Sequence, residues 1–455
     1  MKRFFCMILA FVLCALYAPP PSQAANSDTI LRVGLYYGSS AVSSVTLSST
    51  GGFSFGTVSG TTFSGAKTSA ATSVTITASG ASSFMVKDSS GSAVYTASGD
   101  HIAIRGQSGL TKLGDYTYYG DFVLRASSSG ALTVINYVAL DDYVKGVLPY
   151  EMSASWPIEA LKAQALCARS YALGNLNKHK SYGFDLCNTT NCQVYRGTSR
   201  ANANSDAAVD QTAGQILMAD GKLAVGYFFA SDGGATEDNE NVWGGDPVSY
   251  LRGVKDPYED TASASNGVWS VTLTASEVAS KLKSAGYSIG TVSTVQVTKR
   301  TAMDNVNQVT VTDTSGKSVT IKNSAVRSVF GLNSIRYTIN GEGSSSSSGG
   351  GLYVNGTQVI DGSLYAVGGS GQSSAIGSAS GKTALTGSGK QTISVSSGTT
   401  TPSPPTPAGS FTFDGTGWGH SVGMSQYGAL AMAKQGFTYD QIVKFYFTGV
   451  TIATN

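Results

Sequence analysis

Two runs decide the fold class. The first is Asp141-Asp142-Tyr143-Val144-Lys145-Gly146-Val147-Leu148-Pro149-Tyr150-Glu151-Met152; the second, after Ser155-Trp156-Pro157, is Ile158-Glu159-Ala160-Leu161-Lys162-Ala163-Gln164-Ala165-Leu166-Cys167-Ala168-Arg169-Ser170-Tyr171-Ala172. In the second run Ile158, Leu161, Ala165, Ala168 and Ala172 recur at helical spacing, which predicts a helix from Ile158 through Asn175 with a face of small apolar residues. Ser155 is the expected N-cap, Pro157 falls in the first turn, and Glu159 complements the positive end of the helix dipole. Lys162 and Arg169 lie seven positions apart and line one flank, so one of them is expected to point at whatever lies beside Glu151. Asp142 reads as a turn residue. By position alone, Glu151 is a surface or capping carboxylate just ahead of the helix.

Strand patterns surround this region. From Tyr118 to Val138 two strand-like runs flank Ser127-Ser128-Ser129-Gly130. Between Thr29 and Ile104 short alternating segments such as Leu31-Arg32-Val33-Gly34-Leu35 and Ser73-Val74-Thr75-Ile76-Thr77 predict a β-rich region that positions or binds rather than catalyses. Past a polar loop from His179 to Cys192, strands are expected at Gly214–Met218, Val225–Ala230, Val292–Val297, Gln308–Val311 and Ile335–Ile339, and helices at Leu273–Leu282 and Ser324–Leu332. The fold class is therefore α+β, a mixed region with a β-rich N-terminal part. Residues 341–410 collapse into Ser, Gly, Thr and Pro, with a strand pattern only at Gly351–Val367, and read as an insertion because dense sequence resumes at Phe411. The expected organisation is a signal at 1–24, the β-rich region at 29–104, the first part of a mixed α+β domain at 105–340, the insertion at 341–410 and the second part of that domain at 411–455.

Only 13% of the 455 residues are charged, against about 25% in average globular proteins, which favours a β-rich extracellular chain. A net charge of +2 without long basic runs excludes the electrostatic footprint of a nucleic-acid binder. Lys2 and Arg3, the apolar Phe4–Ala18 and the Ser22-Gln23-Ala24 cleavage site predict export; an uncleaved anchor is the alternative. Removal of the signal would leave Cys167, Cys187 and Cys192, too few for a disulfide scaffold. His179, Cys187 and Cys192 suit a structural zinc ion, and a Cys187–Cys192 disulfide suits an exported protein equally. Cys167 is expected to be packed inside its helix.

Four segments in order resemble the SpoIID/LytB family, the stage II sporulation protein D group of bacterial peptidoglycan-active proteins. They are Asp142 to Met152; Trp156 to Ala165 running on to Ala168-Arg169-Ser170-Tyr171-Ala172; Phe229-Ala230-Ser231-Asp232-Gly233-Gly234-Ala235-Thr236 with Trp243 and Tyr250-Leu251; and Gly417-Trp418-Gly419-His420-Ser421-Val422-Gly423-Met424-Ser425-Gln426-Tyr427-Gly428-Ala429. The resemblance implies a lytic transglycosylase that cleaves the β-1,4 bond between N-acetylmuramic acid and N-acetylglucosamine of peptidoglycan glycan strands, leaving a 1,6-anhydro end, with Glu151 as the catalytic acid. Its LytB side implies instead a non-catalytic wall-binding enhancer of an amidase. Arg169 matches a functionally important family arginine. Some clostridial members carry zinc in the His179 loop, often with a histidine just before the second cysteine, where this chain has Asn191.

Transglycosylation needs one carboxyl and no cofactor. A protonated Glu151 gives its proton to the leaving oxygen and then takes one from the sugar's own 6-hydroxyl, which attacks the anomeric carbon. Such an acid must stay neutral, with a pKa about two units above about 4.3. The glycines of the Gly417–Gly428 run permit close backbone approach, so His420, Ser425 and Gln426 are expected along a cleft wall. Ser231 lacks a nucleophile elbow and is either substrate-facing or a turn residue. Tyr195 stacks on a sugar or packs in the core. A third reading, a structural surface protein, fits the insertion but has no use for the cleft motifs.

Overall fold

The computed structural model describes residues 29–340 and 409–454, with six short strands between Leu352 and Thr392. The expected signal at 1–24 and most of the 341–410 insertion lie outside the described residues. The architecture is α+β, with 22% helix and 39% strand. Among the described residues no helix is long and apolar enough to cross a membrane.

Strand alternation builds the large sheet. In Ile30–Tyr36, Leu31, Val33 and Leu35 are buried, and in Ser73–Ala78, Val74 and Ile76 are, as period-two patterning requires. Eleven strands join in the path Leu186–Cys187, Ile30–Tyr36, Leu132–Ala139, Tyr116–Ala126, Ile102–Leu113, Ser44–Ser48, Ser73–Ala78, Ser83–Asp88 and Ala93–Ser98, with the Phe53–Ser59 and Thr62–Ser69 hairpin branching off Ile102–Leu113. The expected division at 104/105 falls inside the strand Ile102–Leu113, and the sheet is continuous across it.

Leu132–Ala139 runs without a linker into a helix, α1, at Leu140–Glu151. Asp142 is thus a first-turn helical residue rather than a turn residue, and with Asp141 it complements the dipole. Leu140, Tyr143, Val144, Val147 and Leu148 form the buried face of α1. Pro149 lies in its last turn, where a missing N–H removes only one bond. Gly146 sits over the Tyr195 ring, and a Cβ there would lie 2.4 Å from it.

The predicted helix is present as α2, Ile158–Gly174. Its N-cap is Pro157, not Ser155, whose hydroxyl bonds Ser153 instead. It is buried nearly all round, and its alanines let α1 and the helices Ala203–Asp210, Gln426–Lys434 and Tyr439–Tyr446 pack against it. Neither flank residue turns to Glu151: Lys162 pairs with Glu159, and the buried Arg169 pairs with Asp141 at 2.7 Å and donates to the Gln215 carbonyl. Of the later expectations, Leu273–Leu282 divides into the end of the strand Val268–Thr274 and the helix Ala275–Ser284, and Ser324–Leu332 contains only one turn, Ala325–Ser328. Val225–Ala230 shortens to the strand Phe228–Phe229.

Ser410–Thr416 lies between Val268–Thr274 and Arg336–Ile339 in one small sheet, pairing Phe413 with Ile339. The chain on either side of residues 341–408 therefore meets in adjacent strands, and a long excursion between adjacent strands adds little closure entropy. Gly146→Ala gains about 1 kcal/mol of helix propensity, but overpacking against Tyr195 is expected to outweigh it, with a net loss of about 1–2 kcal/mol. A lowered urea midpoint checks this; an unchanged or raised midpoint contradicts it.

Candidate active site

Glu151 is the last residue of α1, where the free carbonyls of the helix end disfavour a negative charge. Burial pushes its carboxyl above the ordinary carboxylate value; hydrogen bonds from the Gln426 side chain and the Val194 N–H pull the other way without cancelling the shift. Gln426 Nε2 lies 3.4 Å from Glu151 Oε2. The carboxyl stands between two cavities. One, of about 490 Å³, is lined by Tyr171, Lys178, Cys192, Tyr227, Trp243 and His420 among others. The second, of about 400 Å³, is lined by Trp156, Asn266, Trp418, Gln426 and Tyr427 among others. Glu151 is the only carboxylate among the described residues lining either cavity.

Each cavity carries an exposed tryptophan. Trp243 is 43% accessible and Trp418 39%, unusual for the largest apolar side chain. Trp243, Tyr227 and Phe229 surround His420, with ring centroids 5.4, 6.5 and 5.3 Å from the imidazole. This apolar setting lowers the His420 pKa to about 4, so the ring is neutral at pH 7. Its Nδ1 accepts the Val422 N–H at 3.2 Å. The backbone thus occupies Nδ1 of His420, and the ring lines the cavity beside Glu151.

The Gly-rich run wraps this region because its glycines approach other backbone. Gly423, at φ +81°, would place a Cβ 2.3 Å from the Tyr227 carbonyl, and Gly419, at φ +130°, 2.6 Å from Phe229. Ser425 caps the helix Gln426–Lys434 by accepting the Gly428 N–H, which sets Gln426 in its first turn facing Glu151.

Several expected ligand contacts point inward instead. Tyr195 is buried: its hydroxyl donates to Asn136 at 2.7 Å and its ring packs 4.8 Å from Tyr143, so it supports α1 from below. Arg169 is fully buried and lines neither cavity beside Glu151. Ser231 and Ser425 are buried and donate to Glu259. The Ser231 backbone pairs with Trp418, 3.0 Å from N to O and 2.7 Å in return, and so places that ring.

The cysteine loop forms one wall. The strand Leu186–Cys187 pairs with Ile30–Tyr36 at the edge of the large sheet, and Thr190 to Val194 line the cavity beside Glu151. Cys187 and Cys192 are not bonded to each other. His179 Nε2 lies 3.3 Å from Cys192 Sγ, and the candidate ligand atoms of His179, Cys187 and Cys192 lie within 4.8 Å of one another. The Cys187 N–H donates to Cys192 Sγ, and the closeness of the two sulfurs holds Cys187 below the ordinary thiol value and pushes Cys192 above it. Two thiols and an imidazole make a donor set that fits Zn²⁺. An ion held there would tie the Thr190–Val194 wall to the sheet edge.

Residues 128–218 match the family model described as SpoIID, Stage II sporulation protein. The chain belongs to the SpoIID family. This SpoIID-family chain is 30% identical over 328 residues to the amidase enhancer of Bacillus subtilis, covering 68% of this chain and 40% of that one. It is 28% identical over 335 residues to the stage II sporulation protein D of the same organism, covering 70% and 76%. To an uncharacterized protein of Brachyspira hyodysenteriae it is 44% identical over 154 residues, covering 34% and 41%. It thus spans about two fifths of the length of the amidase enhancer and of the Brachyspira protein. In this SpoIID-family site, sequence reasoning gave no role to Lys178, Tyr171, Tyr227 or Asn266, which line the cavities. Tyr171, Trp243 and Trp418 carried a signal only as members of the motif segments.

The cysteine loop is expected to bind one zinc per chain by elemental analysis. Cys187→Ser and Cys192→Ser should each abolish it and lower the melting temperature, whereas non-reducing and reducing gels of the native protein should show no bond between the two cysteines.

Proposed function

We propose that this SpoIID-family cell-wall protein is a peptidoglycan lytic transglycosylase with Glu151 as its acid and base. The observation that carries the reading is a single carboxyl, held toward its neutral form, between two aromatic-bearing cavities that hold no second carboxylate among the described residues. Hydrolases of glycosidic bonds use two carboxyl groups about 5–9.5 Å apart. A lone acid suits a reaction in which the sugar's own 6-hydroxyl replaces water.

On this reading the glycan strand runs through both cavities, with the scissile bond over Glu151. Trp243 and Trp418 offer flat apolar faces to sugar rings on either side. Neutral Glu151 protonates the glycosidic oxygen as positive charge grows at the anomeric carbon. The resulting carboxylate, steadied by Gln426 and the Val194 N–H, then accepts the 6-hydroxyl proton as the anhydro ring closes. The cysteine loop takes no part in proton transfer. Residues 105–340 and 411–455 together form the catalytic unit in this proposal, with export placing it in the wall.

The alternative, a wall-binding enhancer of an amidase, is favoured by the 30% identity to the amidase enhancer over 68% of this chain. Digestion of purified glycan strands separates the two. The wild type alone should release 1,6-anhydro-ended fragments and Glu151→Gln none; a wild type that releases none, yet speeds an added amidase, supports the alternative.

The pH dependence has a defined sign. Because burial raises the Glu151 pKa, the acid form persists to higher pH, and kcat/KM should fall as pH rises through that raised value. Gln426→Ala removes a hydrogen bond that favours the carboxylate, so the falling limb should move to higher pH. The same raised pKa means that stability present at low pH is lost as pH rises through the folded value. Glu151→Gln should therefore leave the melting temperature at pH 7 unchanged or higher, which separates lost chemistry from lost folding.

A further inference from the structure

Beside Ser231 and Ser425, among residues that line neither cavity, three carboxylates converge. Asp232, Asp256 and Glu259 each offer an oxygen, all within 4.8 Å of one another. Asp232 is fully buried and Asp256 nearly so. The charged groups acting most strongly on Asp232 and Glu259 are other carboxylates, with no lysine, arginine or histidine among them.

Five of the six oxygens accept hydrogen bonds. Asp256 Oδ1 takes the N–H groups of Tyr258 and Glu259, and its Oδ2 takes the Tyr446 hydroxyl. Glu259 Oε1 takes the Ser231 hydroxyl, while its Oε2 takes the Ser425 hydroxyl and the Asp232 N–H. Asp232 Oδ1 takes the Gly234 N–H at 2.7 Å. The sixth oxygen, Asp232 Oδ2, is buried and receives no N–H or hydroxyl donor; the group set against Asp232 is another carboxyl, that of Asp256. Crowded buried carboxylates without a counter-charge are costly, and the unmet oxygen marks where something positive belongs.

We propose that Asp232, Asp256 and Glu259 bind a calcium ion. The donors are all oxygen, which selects a hard cation over zinc. Separations up to 4.8 Å suit oxygens around an ion with Ca–O distances of about 2.3–2.6 Å. The surroundings are tight: a Cβ on Gly428 would lie 2.3 Å from Asp256 Oδ2 and 1.9 Å from the Tyr446 oxygen. Magnesium, which usually keeps several of its waters, is the poorer fit to so closed a site. The ion would join the Ser231 segment, the 256–259 loop and the cap of the helix that begins at Gln426, and so act as a positioning element beneath Glu151. This proposal is independent of the chemistry assigned to Glu151, because binding and unfolding read it out.

The test uses the purified full chain, stripped with EGTA, freed of the chelator and resupplied with one equivalent of zinc for the cysteine loop. At pH 7.5, calcium at about 1 mM should raise the melting temperature by several degrees. Terbium should give luminescence on tyrosine excitation, sensitised by Tyr446, that calcium displaces and an equal concentration of magnesium does not. Asp232→Asn, which keeps the shape and removes the unpaired charge, should fold and lose both responses; Glu259→Gln serves if it does not fold. A wild-type melting temperature indifferent to calcium, without displaceable terbium emission, overturns the proposal. A melting temperature that instead rises from pH 8 to pH 5 without any cation effect also overturns it, since shared protons then fill the cluster.

Discussion

The ion pair between Arg169 and Asp141 joins the two helices on which the site depends. Asp141 opens α1 and Glu151 closes it, so fastening one end against α2 determines where the other end stands. Arg169 is fully buried, and removing one partner of such a pair leaves an uncompensated charge at a cost of about 3–5 kcal/mol. The Gly146–Tyr195 contact fastens the middle of α1 through the second constraint, shape rather than charge. Between them, the position of Glu151 is set by groups that line neither cavity beside it.

Charge placement costs stability in this region. Glu151 is desolvated at the negative end of a helix, and the trio of Asp232, Asp256 and Glu259 is crowded without a basic partner close by. Both features lie within one turn of the N-terminus of the helix Gln426–Lys434, Ser425 bonding Glu259 and Gln426 bonding Glu151. Neighbouring residues on one short segment thus serve two acidic groups. A change to either residue is transmitted to the other through a single helical cap.

Much of the site was legible because family motifs cluster what matters. Glu151, Gln426 and His420 come from segments far apart in the chain, yet all border the same pair of cavities. Arg169 and Tyr195 came from equally suggestive stretches and turned inward, since an arginine or tyrosine in a pattern does not say which face of its element is covered. α1 was not legible as a helix: Gly146 and Pro149 have poor helix propensity, and only the Tyr195 ring beneath Gly146 explains why a glycine is required there. The carboxylate trio left no trace, because Asp232 and Glu259 are 27 positions apart with no repeat or spacing rule between them.

Composition, alternation and helical spacing by themselves determined the α+β class, the strand-rich start, α2 and the interruption between Ile339 and Ser410, because these follow from local periodicity and from how much apolar surface a segment can bury. Tertiary structure alone decided which polar side chains meet a cavity and which are sealed away. That outcome depends on the packing of elements remote in the chain, and the desolvation that keeps one carboxyl toward its neutral form exists only once those elements have closed around it.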